Sequence, residues 1–338
     1  MATAWRRRGI LASAAAASAL AIPMAQGQEA RFLRIATGSV TGTYYPVGSL
    51  IASLLSNPPG VRPCKEAGGC GVPNLILVAE ASKGSVANVE AIHAGRIETG
   101  FAQSDVAYGA FSGTGVFAGQ PEMANLRALA SLYLESVHLA ATPTSGIGSV
   151  ADLRGRRVSL DTDGSGTRID ALAILEAFDL TPADLQPVYV SPAKSIDLML
   201  AGDLEAVFLI AGYPAAAVTE LAQTLGVRLV PLVGEPVAKL LARHRFMTVD
   251  DIPGDTYPGI GAGTPTLGVA ALWVAAADLD AQLAFEIVRA LFDPVILKQL
   301  AEQHPKGSAI SLANALRGVA IPLHPGAARF YRERGLAE

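Results

Sequence analysis

Two stretches of the chain concentrate Gly, Ser and Thr where an apolar run gives way to a helical pattern. The first is Thr37-Gly38-Ser39-Val40-Thr41-Gly42-Thr43-Tyr44-Tyr45-Pro46, and the second is Asp161-Thr162-Asp163-Gly164-Ser165-Gly166-Thr167. At a helix start the first N–H groups have no partner within the helix, and the positive end of the dipole favours an anion. Residues of these types serve either a bound anion or the turn alone, and composition does not separate the two uses. No Gly-Lys-Ser/Thr follows either loop and neither is a dinucleotide fingerprint, so nucleotides are not expected.

Catalytic and metal-binding chemistry finds little support. The five His, at 93, 138, 244, 304 and 324, are scattered. The chain has no His-Glu-x-x-His, no Gly-x-Ser-x-Gly and no Cys paired with a His. Glu90 and His93 stand three apart on a helical pattern, which without a third ligand reads as a solvated face. No catalytic residue, metal or cofactor is expected. Cys64 and Cys70 sit in a Pro/Gly-rich segment with no further Cys or His nearby to complete a metal site. In an oxidising compartment such a pair closes a small loop as a disulfide.

The elements that carry the loops follow from periodicity. Residues 32–36 alternate like a strand; beyond the first loop Val47, Leu50, Ile51, Leu54 and Leu55 mark one helix face, with Pro46 suited to its first turn. Residues 75–79 read as a second strand, and Lys83-Gly84-Ser85 leads into a helix carrying Val86, Val89 and Ile92 that Gly95 stops. Residues 97–101 form a third strand, ending at Gln103-Ser104-Asp105 before a helix that begins near Val106. Strands alternating with helices imply a parallel sheet whose ligands lie outside the carboxyl ends of the strands. Loops 37–45, 80–85 and 102–105 therefore converge.

The theme repeats with a strand at 158–160, the second Gly-rich loop and a helix bearing Ala171, Ile174, Leu175 and Phe178. Residues 187–190, a helix ending near Gly202 and a strand at 206–210 complete that set. Extended segments at 137–141 and 267–275 read as two crossings between lobes. The expected division is 28–141 plus 266–338 for lobe I and 142–265 for lobe II, with the second lobe an inserted α/β domain of ordinary size. Two facing helix starts then suit a small anion clamped between lobes.

Composition bounds these readings. The chain has 338 residues, of which 51% are hydrophobic and 17% charged, enough for two packed cores. No basic cluster follows the first ten residues, which argues against nucleic acid as a partner. Arg6, Arg7 and Arg8, an apolar run over 10–22 and the exit Ala25-Gln26-Gly27 have the layout of a secretory signal peptide, 1–27. Its removal takes away three Arg and no acid, moving the formal charge from -4 to -7. The longest later apolar run, 267–277, is far shorter than the 18 or so residues of a membrane span.

Several stretches, in order, carry a resemblance: Thr41-Gly42-Thr43-Tyr44-Tyr45-Pro46, Gly84-Ser85-Val86-Ala87-Asn88-Val89, Phe101-Ala102-Gln103-Ser104-Asp105-Val106-Ala107-Tyr108, Leu126-Arg127-Ala128-Leu129-Ala130-Ser131-Leu132-Tyr133, Gly164-Ser165-Gly166-Thr167, Ala211-Gly212-Tyr213-Pro214 and Pro322-Leu323-His324-Pro325-Gly326-Ala327. Together they resemble the TAXI family of extracytoplasmic solute-binding proteins, which serve TRAP-type (tripartite ATP-independent periplasmic) transporters. The resemblance implies an α/β, two-lobed periplasmic binding protein type II fold, each lobe a mainly parallel sheet flanked by helices, joined by a hinge. It implies a periplasmic monomer that delivers a small carboxylate, such as glutamate or 2-oxoglutarate, to integral membrane permease subunits. The alternatives are a sensor subunit presenting the solute to a membrane receptor, or an exported enzyme on the same fold.

Carried onto this chain, the ligand loop falls on Ser39, Thr41, Gly42, Thr43 and Tyr44. Ser85 and Asn88 follow from the second strand, with Ser85 equally suited to capping a helix, and Gln103 and Ser104 from the third. The second lobe supplies Ser165, Gly166 and Thr167, Arg168 as a carboxylate partner or a solvent-facing side chain, and Tyr213 as a wall.

Overall fold

The computed structural model describes residues 1, 29–61 and 69–337; the expected signal peptide, apart from Met1, and Cys64 lie outside the described residues. The chain begins with β1 (Arg31–Ala36) and α1 (Tyr44–Leu55), followed by a short ladder of β2 (Ser56–Asn57) on β3 (Val72–Pro73). Next come β4 (Leu75–Glu80), α2 (Ser85–His93), β5 (Thr99–Gln103) and α3 (Ser104–Ser112), with β4 and β5 both parallel to β1. After β6 (Leu126–Ala141) the unit recurs as β7 (Arg157–Ser159), α4 (Gly166–Ala177), β8 (Gln186–Val188), α5 (Pro192–Leu200), β9 (Ala206–Ala211) and α6 (Ala216–Thr224). Here β8 and β9 flank β7 in parallel. The chain continues through β10 (Arg228–Leu229), α7 (Glu235–Arg243), β11 (Met247–Ile252) and β12 (Thr264–Ala276), and ends in α8 (Ala281–Leu291), α9 (Pro294–Gln303) and α10 (Pro325–Glu333).

One sheet runs through both lobes in the order β4-β1-β5-β12-β6-β9-β7-β8. Its centre is the antiparallel pair β6 and β12, whose register breaks between Ala271 and Leu272 and between Trp273 and Val274. Residues 271–275 of β12 pair with β5 of lobe I, while residues 136–141 of β6 pair with β9 of lobe II. These two strands are the hinge. The first begins at Leu126, well before the extended segment expected at 137. Its sequence is apolar on both faces because helices cover both, so the alternation that marks a half-buried strand is absent. Helices α1 and α8–α10 share one core on lobe I, and α2 and α3 cover the opposite face. In lobe II, α4 and α7 pack on one side and α5 and α6 on the other. No helix among the described residues is long and apolar enough to cross a membrane.

The hinge contains a buried histidine whose protonation is tied to folding. His138 Nδ1 lies 2.9 Å from the Ser136 carbonyl, and its Nε2 is 2.8 Å from the Tyr257 hydroxyl, which also accepts from the Ala215 N–H at 2.9 Å. The imidazole is therefore neutral, with its proton on Nδ1, and burial pushes its pKa down from 6.5 to about 4. The unfolded chain takes up this proton first as pH falls. The stabilisation is complete above 6.5 and is lost on the way down to 4, on the order of 3 kcal/mol in total. The thermal midpoint of His138→Gln, followed against pH, is expected to fall less steeply than that of the parent between 6.5 and 4. Parallel curves would contradict this role.

Candidate functional site

The carboxyl ends of β1, β4 and β5 face those of β7 and β9 across a cleft of about 440 Å³. Lobe I contributes the loop from Gly38 to Tyr44, residues 81–85 and Gln103; lobe II contributes Asp161, Thr162, Ser165–Thr167, Ser191 and the end of β9; Glu135 of the hinge forms the floor. The lobes are closed on one another. Across the gap, the Ala217 N–H donates to the Thr41 carbonyl and the Ala87 N–H to the Gly164 carbonyl, both at 3.0 Å. The Thr43 hydroxyl donates to the Gly212 carbonyl at 2.5 Å, and Gln103 Nε2 donates to Asp170 at 3.1 Å.

Three helix starts point at this space. Thr43 and Gly84, the N-cap residues of α1 and α2, make no side-chain capping bond; Pro46 has no N–H and the Ala87 N–H is taken by Gly164, which leaves the N–H groups of Tyr44, Tyr45, Ser85 and Val86 for a ligand. Gly84 holds φ +114, a conformation an L side chain rarely adopts, and this brings the start of α2 against Ser165. The third helix, α4, is capped by Ser165, whose Oγ accepts from the Arg168 N–H at 3.1 Å. Thr167 Oγ1 accepts from the Ile210 N–H at 3.1 Å, pinning α4 to β9.

Of the residues expected from sequence, Ser39, Gly42, Thr43, Tyr44, Ser85, Gln103, Ser165, Gly166 and Thr167 line the cleft. The others stand outside it. Thr41 bonds Ser39 through its hydroxyl and closes the lobes through its carbonyl. Fully buried Asn88 donates to the carbonyls of Thr37 and Phe101, lies close to that of Ala36 and accepts from the Ser82 hydroxyl, so it ties strand ends together. Ser104 has a buried hydroxyl beneath Gly318, and Tyr213 receives Lys306 Nζ over its ring at 3.4 Å. Arg168 pairs with Asp163 and lies 4.3 Å over the Tyr189 ring. Arg168→Ala is accordingly expected to leave ligand affinity within about twofold of the parent, as surface changes away from a site generally do. A tenfold loss in a binding titration would return Arg168 to the ligand.

Two acids in the cleft went unread in the sequence, although Asp161 opens a loop singled out there. Burial pushes the Asp161 carboxyl up to about 6, and its Oδ1 accepts from the Thr162 N–H at 2.7 Å. Glu135, 3% exposed, accepts from the Tyr44 hydroxyl at 2.6 Å, and burial raises it to about 8. A lone acid in the apolar run of β6 was the available signal. Behind Gln103, burial raises the Asp105 carboxyl, and burial with the charge of Asp105 pushes Asp170 well up, so this inter-lobe pair retains a proton. Among the described residues, Lys83 is the one cationic side chain lining the cleft. No group of His, Cys, Asp and Glu able to hold a metal occurs among the described residues. Cys70 is disulfide-bonded.

A profile of the NMT1-like family matches residues 35–335. Among solved structures, the alkanesulfonate-binding protein of Xanthomonas axonopodis pv. citri, bound to MOPS, is 16% identical with a TM-score of 0.46, covering 92% of this chain and 96% of that one. The periplasmic aliphatic sulphonate-binding protein of Escherichia coli is 16% identical with a TM-score of 0.44, covering 90% and 88%. An ancestral arginine-binding protein bound to arginine is 13% identical with a TM-score of 0.44, covering 80% and 97%.

Proposed function

Because the chain belongs to the NMT1-like family, we infer that it is an exported, non-enzymatic solute receptor that closes its two lobes on a small organic anion. The observation that carries this reading is the cleft itself, where uncapped α1 and α2 face the start of α4 with hydroxyls interleaved. Closure selects the bound state because both lobes supply donors only when together. The sequence resemblance supports a finer assignment: a TAXI-type periplasmic monomer, after loss of 1–27, handing a carboxylate to a TRAP-type permease. On this reading 28–141 with 266–338 moves as lobe I and 142–265 as lobe II, flexing where β6 and β12 pass between them. The ligand set is Ser39, Gly42, Thr43, Tyr44, Ser85, Gln103, Ser165, Gly166 and Thr167.

A thermal-shift screen with mono- and dicarboxylates and amino acids tests the reading, since a ligand of the folded state raises the midpoint by mass action. At least one member is expected to do so and to be recovered chemically unchanged. A flat screen, or turnover of the bound compound, would overturn it. Cys64 is assigned as the partner of Cys70, and a non-reducing peptide map is expected to yield one linked pair. Two alkylatable thiols would contradict that pairing.

A further inference from the structure

The charges that line the cleft do not match a ligand that is only an anion. Two buried carboxyl groups, Glu135 and Asp161, face the space, against one exposed lysine at the rim, Lys83. Arg168 points elsewhere, so no guanidinium fork is present for a second carboxylate. Glu135 stands where β6 passes from its pairing with β12 in lobe I to its pairing with β9 in lobe II, which fixes it at the cleft floor. Its Oε2 is taken by the Tyr44 hydroxyl, and no hydrogen bond among the described residues reaches Oε1. Gln103, joined to Glu135 through Ser85 and Tyr44, turns its Nε2 to Asp170 and leaves Oε1 without a donor. Glu135 and Gln103 therefore each present one acceptor oxygen without a donor.

We propose that Glu135 selects the ligand by accepting a hydrogen bond from a protonated amine, so that the cleft takes an α-amino acid or similar ammonium-bearing anion in preference to the matching oxo acid, plain carboxylate or sulfonate. The assignment rests on the anion-receptor reading: the helix starts hold the anionic group while Glu135 holds the amine. The other groups facing Glu135 agree with it. Tyr44 of α1 and Tyr133 of its own strand are neutral, and Asp105 of α3 and Asp170 of α4 add further acid. Among the described residues the cation that faces Glu135 is Lys306 of the short helix Pro305–Ala309, which is stacked on Tyr213 and shared between Asp250 and Glu135. Lys306 is one cation divided between two acids, so a ligand amine supplies the balancing charge when Glu135 ionises.

Proton linkage gives the proposal a sign. Burial raises the free Glu135 carboxyl to about 8, so an ammonium ligand expels its proton on binding. Affinity then rises with pH between 6 and 8, by about tenfold per unit. A purely anionic ligand that needs the Glu135 O–H as a donor would show the opposite slope. Calorimetric titrations with matched pairs test this: L-glutamate against 2-oxoglutarate, L-leucine against 4-methyl-2-oxopentanoate, and taurine against ethanesulfonate. In any pair that binds, the ammonium member is expected to be tighter by about 30-fold, as for a hydrogen bond to a charged group. Glu135→Gln is expected to remove that preference. Equal or tighter binding of the oxo or amine-free member, a falling pH slope, or a preference retained in Glu135→Gln would overturn the role of Glu135 while leaving a solute receptor. Failure of both members of every pair would overturn the receptor reading and this one together. The wild-type pairs decide the question even if the variant fails to fold.

Discussion

Gly166→Ala is expected to reduce ligand affinity by about 5- to 150-fold, equivalent to about 1–3 kcal/mol, without unfolding the protein. Gly166 is the first residue of α4, at the point where the second lobe meets the first. A Cβ there would overlap Gln103 Oε1 and lie 2.5 Å from Gln103 Cδ and 3.0 Å from Ser85 Oγ. Gln103 has little freedom to yield: it is 2% exposed, its N–H is held by Ser85 Oγ and its Nε2 by Asp170. Overpacking of this kind costs about 1–3 kcal/mol, and the closed state alone bears it. With the lobes apart, the added methyl faces water, and alanine suits a helix better than glycine. The thermal midpoint without ligand is therefore expected to hold or rise slightly while a titration shows the loss. Affinity within threefold of the parent would mean that the lobes do not meet at Gly166 when ligand is bound.

Asn88→Ala is expected to produce the largest loss of stability among residues near the cleft, about 3 kcal/mol in the unfolding of lobe I, from several buried groups left unpaired. One amide joins the ends of three strands. Its two N–H groups go to Thr37 and Phe101 at 2.7 Å, with the Ala36 carbonyl a longer neighbour at 3.2 Å, and it accepts from the Ser82 hydroxyl, which lies 3.0 Å from the Thr37 carbonyl. These contacts set the loops after β1, β4 and β5 against each other. Ligand affinity is expected to fall as a consequence of misplaced loops, and a denaturant titration measures the stability loss directly. Lost affinity with unchanged stability would instead make Asn88 a ligand contact.

The Asn88 case shows what the sequence conceals. An amide following a strand-loop signal reads equally as ligand donor or structural tie, because the carbonyls it meets are brought together only by strand order. Arg168 was placed by a similar ambiguity. Its sequence position serves a carboxylate partner or a solvent-facing side chain equally; the Ser165 cap makes it the third residue of α4, with its side chain turned to Asp163 and Tyr189. By contrast, the alternating strands and Gly-rich handovers of 32–55 and 158–178 were legible, because there the local pattern and the global fold agree. Glu135 escaped notice because β6 has no readable period. Its position at the cleft floor depends on that strand continuing from one lobe into the other.

A crystal structure of the protein with the anion that gives the largest shift in the screen tests the central claim most directly. The expected result is one ligand between the lobes, its anionic group within hydrogen-bond distance of the first-turn N–H groups of α1, α2 or α4 and of the Ser39 or Ser165 hydroxyl. A ligand bound outside this cleft, or one held in it without contact to any of these helix starts, would contradict it.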